Sequence, residues 1–340
     1  MTDQQSTNVD AGIEVTRFVP VPTSVSPQAQ QFLSMGLSIG GDGVPGEPDR
    51  GDIDGWRAMI KATDEGLIAV MEMIPPVPDS TVDMTFVGDV PVFVLTPDGV
   101  PGGVSDGASQ PTFLDIHGGG FVIGRGEACR VLAKKSAAMV RMRTWSVDYR
   151  MPPDHPYPAA LDDCIAVYRA LLEVQSPERI VVGGGSAGGN LAAALMLRAR
   201  DEGLPLPAAL VLLTPEADLT ESGDSFHTML GIDPVLQTNL TESIALYAGN
   251  HDLTHPYLSP LFGDFTPPFP PTFVQAGTRD LFLSNAVRLH RRLRNAGVVA
   301  DLHVFEAMPH GGFFGAPEDD DMAAEVRRFI AAHVLGTDLT

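Results

Sequence analysis

The stretch that most restricts how this chain can fold is Arg179–Asn190, RIVVGGGSAGGN. Ile180, Val181 and Val182 are a β-branched apolar run suited to a buried strand. Gly183, Gly184 and Gly185 permit a turn too tight for residues carrying a Cβ. Beyond Ser186 the run LAAALMLRAR is strongly helix-forming. Gly184-x-Ser186-x-Gly188 is therefore G-x-S-x-G in a strand–turn–helix context. Such a bend raises a hydroxyl clear of the sheet and aims the first helical N–H groups at the space beside it. Taken alone, the motif is equally compatible with a glycine-rich turn that only packs or binds a phosphate.

The rest of the 340 residues bears on that choice. A hydrophobic content of 44% suffices for a large core. The net charge of −21 disfavours nucleic acid and anionic membrane surfaces. No apolar run is long enough to span a bilayer, and the polar start MTDQQSTNVDAG lacks a secretory pattern. The two cysteines, Cys129 and Cys164, make no disulfide framework, and a reduced, cytoplasmic protein is expected.

The pattern predicts two N-terminal helices. One begins at the Ser26-Pro27 cap and runs through Phe32, Leu33 and Leu37 to the glycine pair at 40–41. The other covers Asp54–Met73, with Trp56, Met59, Ile60, Leu67, Val70, Met71 and Ile74 as its apolar face. VDMTFV and PVFVLT around Gly88-Asp89 read as a hairpin. Strands PTFLDIH, TWSVDYR, IVV, AALVLLT, TFVQAG and DLHVFE then alternate with helices, which implies a mostly parallel sheet covered on both faces. The rhythm breaks over 216–265, which reads as an insertion with one helix at Asn239–Ala248. The acidic run Glu318–Asp321 opens the last helix, where it complements the helix dipole.

A serine needs a base to take its proton, usually a histidine oriented by a carboxylate. His310, in MPHGGFF after strand DLHVFE, and Asp280, in GTRDLF after TFVQAG, each follow a strand of the predicted sheet. The order Ser186, Asp280, His310 is the order that hydrolases with this elbow use. His117-Gly118-Gly119-Gly120-Phe121 adds a loop with unshielded N–H groups, able with Ala187 to bind an oxyanion. A phosphate loop is disfavoured, since no G-x-x-x-x-G-K-[ST] is present. His251 and His255 have helical metal spacing but lack the intervening glutamate, so no metal site and no cofactor are expected. His117 is read as a support of its loop, and Asp154, Asp162 and Asp163 as loop and helix-start residues.

HGGGF (117–121), DYRMPPDHPYPAALDD (148–163), GGGSAGGNLAAA (183–194), GTRDLFLSNA (277–286) and HGGFF (310–314) together resemble the hormone-sensitive-lipase family of α/β-hydrolases, in its bacterial esterase branch. The resemblance implies an α/β-hydrolase fold with an antiparallel N-terminal hairpin. It implies Ser186 as nucleophile, His310 as base and Asp280 as orienter. Gly119, Gly120 and Ala187 would form the oxyanion hole, with Gly118 shaping the turn. It also implies a helical cap from 1–75 and 216–260 over a catalytic domain of 76–215 and 261–340. Two positions depart from the family: Gly185 replaces the usual aspartate before the serine, and Thr214-Pro215-Glu216 follows a strand that usually ends in Ser-Pro.

The resulting expectation is a carboxylic ester hydrolase acting on short- to medium-chain acyl esters of small molecules. Lactones, aryl esters and phthalate-type diesters are open to the same chemistry. A non-catalytic ligand-binding protein of the same fold is the competing class. A homodimer through the last strand or helix is compatible with the available edges.

Overall fold

The computed structural model describes residues 12–35, 47–73, 79–99 and 110–334. The expectations for Leu37, the glycines at 40–41 and Ile74 fall outside them. Helices α1 (Pro27–Ser34) and α2 (Ile53–Met73) come first. Ser26 caps α1 by accepting the Ala29 N–H at 3.2 Å, as its Ser-Pro start predicts. Strands β1 (Ser80–Val87) and β2 (Val90–Pro97) form the hairpin, turning at Gly88 with φ 58°.

The alternation then runs β3 (Thr112–Ile116), α3 (Glu127–Val140), β4 (Arg143–Val147), α4 (Ala159–Val174), β5 (Ile180–Gly185), α5 (Ala187–Asp201) and β6 (Ala209–Leu213). The insertion carries a four-residue helix that the sequence pattern did not reveal, α6 (Ser225–Thr228), and α7 (Thr241–Ala248). β7 (Thr272–Gly277), α8 (Leu283–Asn295), β8 (Ala300–Phe305) and α9 (Pro317–His333) complete the chain.

The eight strands lie in the order β1-β2-β4-β3-β5-β6-β7-β8, antiparallel from β1 to β4 and parallel from there on. β4 lies on one side of β3 and β5 on the other, so the winding reverses there. The carboxyl ends of β3 and β5 therefore flank a topological switch point, where open α/β sheets bind ligands.

Period-2 alternation assigns the faces. Ile180 and Val182 share a cluster with Leu161 of α4, Leu191 of α5 and Leu289 of α8. Val181 points the other way, into a cluster with Val140 of α3 and Val326, Phe329 and Ile330 of α9. β4 is shorter than the apolar pattern suggests. After Val147, Asp148 accepts the Gly126 N–H, Tyr149 donates to His117 O, and the Arg150 N–H donates to Asp163. Those bonds draw the chain out of the ladder.

Two apolar clusters help bring the N-terminal segment over the carboxyl end of the sheet. Val25, Ala29 and Leu33 around α1 pack on Ala307, Met308, Phe313 and Ala316. Trp56 of α2, fully buried, packs with Val122 and with Leu246 of α7.

Candidate active site

Ser186 sits at φ 56°, ψ −124°, a conformation that costs a non-glycine residue about 1–3 kcal/mol. The surroundings impose it. The Ser186 N–H donates to Leu213 O at 2.9 Å, and its carbonyl accepts from the amides of Asn190 (3.1 Å) and Glu216 (3.2 Å). The flanking glycines are required by the end of β3. A Cβ on Gly184 would lie 2.4 Å from Ile116 O, and one on Gly188 would lie 1.9 Å from the same oxygen. Gly185 is different, because a Cβ there would meet only Leu213, at 3.6 Å and beyond.

The glycine loop lies directly on this bend. A Cβ on Gly118 would come 2.9 Å from Gly185 O and 3.2 Å from the Ser186 Cβ. Gly119 (φ 129°), Gly120 (φ 55°) and Phe121 (φ 66°) then turn sharply, and Gly119 O accepts from the Val122 and Ile123 amides. Among the described hydrogen bonds, the N–H groups of Gly119, Gly120 and Ala187 donate to no protein acceptor.

His117 supports the loop. Its Nδ1 lies 2.7 Å from Gly118 O, so the proton is on Nδ1, and its ring stacks on Tyr149 at 4.2 Å. Burial pulls its pKa down to about 4, leaving the ring neutral.

On the other side of the sheet end, Asp280 Oδ1 is 3.0 Å from His310 Nδ1. Asp280 is fully buried and also accepts the Phe282 N–H at 2.9 Å. Burial opposes the charged imidazole, but the carboxylates of Asp280 and Asp233 outweigh it, and the His310 pKa is raised. With Nδ1 engaged, Nε2 is the nitrogen left to serve as base. Ser186, Asp280 and His310 thus follow the carboxyl ends of β5, β7 and β8. The Asp–His bond is formed. The Ser186 hydroxyl makes no hydrogen bond to His310 among the described contacts, a contact that ligand-free sites often hold long.

Three buried residues here escape sequence reasoning. Asn190 donates from Nδ2 to Glu216 O and Leu258 O, each at 2.7 Å, and ties α5 to the insertion. Glu216 is fully buried with neither carboxyl oxygen partnered among the described residues, and desolvation raises its pKa well above the usual range. Asp233, from the insertion, bonds the backbone beside both Asp280 and His310. Asparagine in a helix and acids in a polar insertion carry no signal of such burial. Only the odd Glu216 stood out, as a departure from the family pattern.

The remaining expected residues have structural partners. Asp154 pairs with Arg57, Asp162 with Arg198, and Asp163 with Arg150. Glu318 accepts from Ser26, and Asp319 from the amides of Phe313, Gly315 and Ala316, which shapes the loop after His310. His251 bonds Ala248 O and His255 accepts the Tyr257 N–H, so both serve their own turns. Among the described residues one group of ligand-type side chains, His117, Cys129 and Asp148, converges behind the glycine loop. Burial raises the Cys129 thiol and keeps it protonated, and Asp148 is already held by Gly126 and Arg125, so the group is a poor metal cradle.

An eight-stranded, mostly parallel sheet with a strained serine at its switch point and a buried Asp–His pair defines an α/β-hydrolase architecture. A family model described as alpha/beta hydrolase fold matches residues 113–314, and the chain belongs to that family. It is 35% identical over 226 residues to an esterase of Acinetobacter venetianus, covering 63% of this chain and 72% of that one. Among solved structures, an esterase superposes with TM-score 0.83 at 35% identity, over 95% of this chain and 99% of that one. An esterase described as from the bacterial hormone-sensitive lipase family follows at TM-score 0.75 and 32% identity, covering 91% and 99%. The resemblance read from the motifs is borne out.

Proposed function

We propose that this protein hydrolyses carboxylic esters by acyl transfer through Ser186. The observation that carries the reading is the buried Asp280–His310 bond at the sheet end that also bears a strained serine and free loop amides. Ser186 Oγ attacks the ester carbonyl while His310 Nε2 takes its proton, and Asp280 stabilises the imidazolium. The N–H groups of Gly119, Gly120 and Ala187 receive the oxyanion, each worth about 3 kcal/mol of barrier. His310 returns the proton to the leaving alcohol, and water, activated by the same imidazole, then releases the acid. No step needs a cofactor or metal.

Short- to medium-chain acyl esters are the proposed substrates, and the esterase names of the relatives support carboxylic esters as the class. Lactones, aryl esters and phthalate-type diesters use the same machinery. Residues 1–75 and 216–260 form the proposed cap, supported by the contact of Trp56 with Leu246 over the glycine loop. Cytoplasmic residence is supported by two buried free thiols, and among the described residues no helix is long and apolar enough to cross a membrane. A homodimer along the β8 edge, where Val304 is exposed, completes the reading, and light scattering of the purified protein tests it.

The deciding experiment is turnover of p-nitrophenyl butyrate by wild type and Ser186→Ala. Loss of turnover in the variant supports the nucleophile. Equal turnover refutes it, and no turnover by either protein on a panel of acyl and alcohol groups favours a non-catalytic ligand-binding protein.

A further inference from the structure

Asp233 is one of the side chains by which the insertion between β6 and β7 reaches the catalytic end of the sheet. It follows α6, precedes Pro234 and is fully buried. Its Oδ1 accepts the amides of Val235 at 2.9 Å and Leu236 at 3.2 Å, which closes a turn within its own segment. Its Oδ2 accepts two more amides from distant segments, Leu281 at 2.9 Å and His310 at 3.2 Å. One oxygen therefore clasps the backbone next to Asp280 and the backbone of His310 itself.

Four N–H donors on one buried carboxylate exceed what a turn requires. They stabilise a negative charge that burial would otherwise disfavour at a site already holding Asp280. The titratable groups that face Asp233 are Asp280, from the loop after β7, and His310, from the loop after β8. Burial, with the Asp280 charge second, pushes the Asp233 pKa up to about 6, while His310 and the backbone donors pull it down. The Asp233 charge in turn helps raise that of His310.

We propose that Asp233 is a positioning residue for ester hydrolysis. It sets the imidazole by holding the Leu281 and His310 amides, and it places a second negative charge beside the imidazolium formed when Ser186 gives up its proton. The proposal rests on His310 being the base. It makes the insertion part of the catalytic apparatus, because the two loops that carry Asp280 and His310 are registered against each other by a residue from outside both.

Asp233→Asn tests it, since the side chain keeps its shape and one acceptor oxygen but loses the charge. Asp233→Ala removes both functions. Hydrolysis of p-nitrophenyl butyrate is followed from about pH 5 to about pH 9, with melting temperatures measured on the same samples. For Asp233→Asn the plateau kcat falls about tenfold to a hundredfold while KM stays within about threefold. The acid limb of kcat/KM moves down by about half a unit or more, because the imidazolium has lost a counter-charge. A wild-type kcat with an unmoved acid limb overturns the proposal. So does a loss of activity that tracks the melting temperature with an unmoved limb, which marks a purely structural aspartate. His310→Ala separates the two readings: if that variant stays active, the base assignment has failed, and if it is dead while Asp233→Asn behaves as wild type, only the role of Asp233 has failed.

Discussion

Gly118 lies so close to Ser186 that a Cβ on the glycine would come within 3.2 Å of the serine Cβ. The loop after β3 and the bend after β5 are thus one packed unit, with free amides on one side of the contact and the hydroxyl on the other.

Gly118→Ala therefore acts on the chemistry. The new methyl, 2.9 Å from Gly185 O, forces the loop away from the serine and with it the Gly119 and Gly120 amides. Steady-state kinetics should show kcat reduced by about a hundredfold or more, the effect of a lost oxyanion donor, with KM changed far less. An active Gly118→Ala enzyme with unchanged kcat would mean that these amides do not meet the oxyanion.

The glycines of the bend are not equivalent. Gly188→Ala would drive its Cβ to 1.9 Å from Ile116 O, a backbone atom that cannot move without opening the sheet. This variant should be destabilised by about 3 kcal/mol or more in denaturant unfolding. Gly185→Ala meets only Leu213 at ordinary contact distance and should fold and turn over ester like the parent. Gly185, one of the two places read as departing from the resembled family, thus has room for a side chain. Equal destabilisation of both variants would contradict this account of the bend.

The pH profile follows from His310. The proposed base works deprotonated, and the carboxylates beside it raise its pKa despite burial. The acid limb of kcat/KM should accordingly lie above the ordinary histidine value of 6.5. The same shift favours folding at low pH: the folded chain holds this proton more tightly than the unfolded one. That contribution is complete below 6.5 and is lost as pH rises through the folded value. An acid limb at or below 6.5 in the wild-type enzyme would count against the assignment.

Glu216 offers a test of stability. Its carboxyl is fully buried, neither oxygen has a hydrogen-bond partner among the described residues, and burial raises its pKa well above the usual carboxylate range. An unsatisfied buried polar group costs about 1–3 kcal/mol. Glu216→Leu should raise stability by about 1 kcal/mol near neutral pH. The gain should widen as pH rises above 4.5, because the unfolded chain ionises Glu216 there and the folded chain resists. A lower melting temperature in this variant, at every pH, would show that the carboxyl has a partner that stabilises it.

Much of the site is legible in the chain because its chemistry is local. G-x-S-x-G and HGGGF work through backbone dihedrals and missing Cβ atoms, which neighbouring residues dictate. The spacing of Asp280 and His310 after apolar runs reads directly as two loops at strand ends. The boundaries of β4, the existence of α6 and the purposes of Asn190 and Asp233 are not legible, for their partners lie far away in sequence, and the burial of Glu216 is set by distant segments as well.

By itself, then, the sequence determined the alternation of strands and helices, the bend at Ser186, the bare glycine loop and the order of the three side chains of the proposed triad. Only the tertiary structure decided the placing of β4 between β2 and β3, the seat of Trp56 against Leu246, and the capture of the Leu281 and His310 amides by Asp233. The physical reason is that periodicity and turn chemistry act over a few residues. The partner of a buried polar group is chosen by whichever distant segment the folded sheet brings within hydrogen-bond reach.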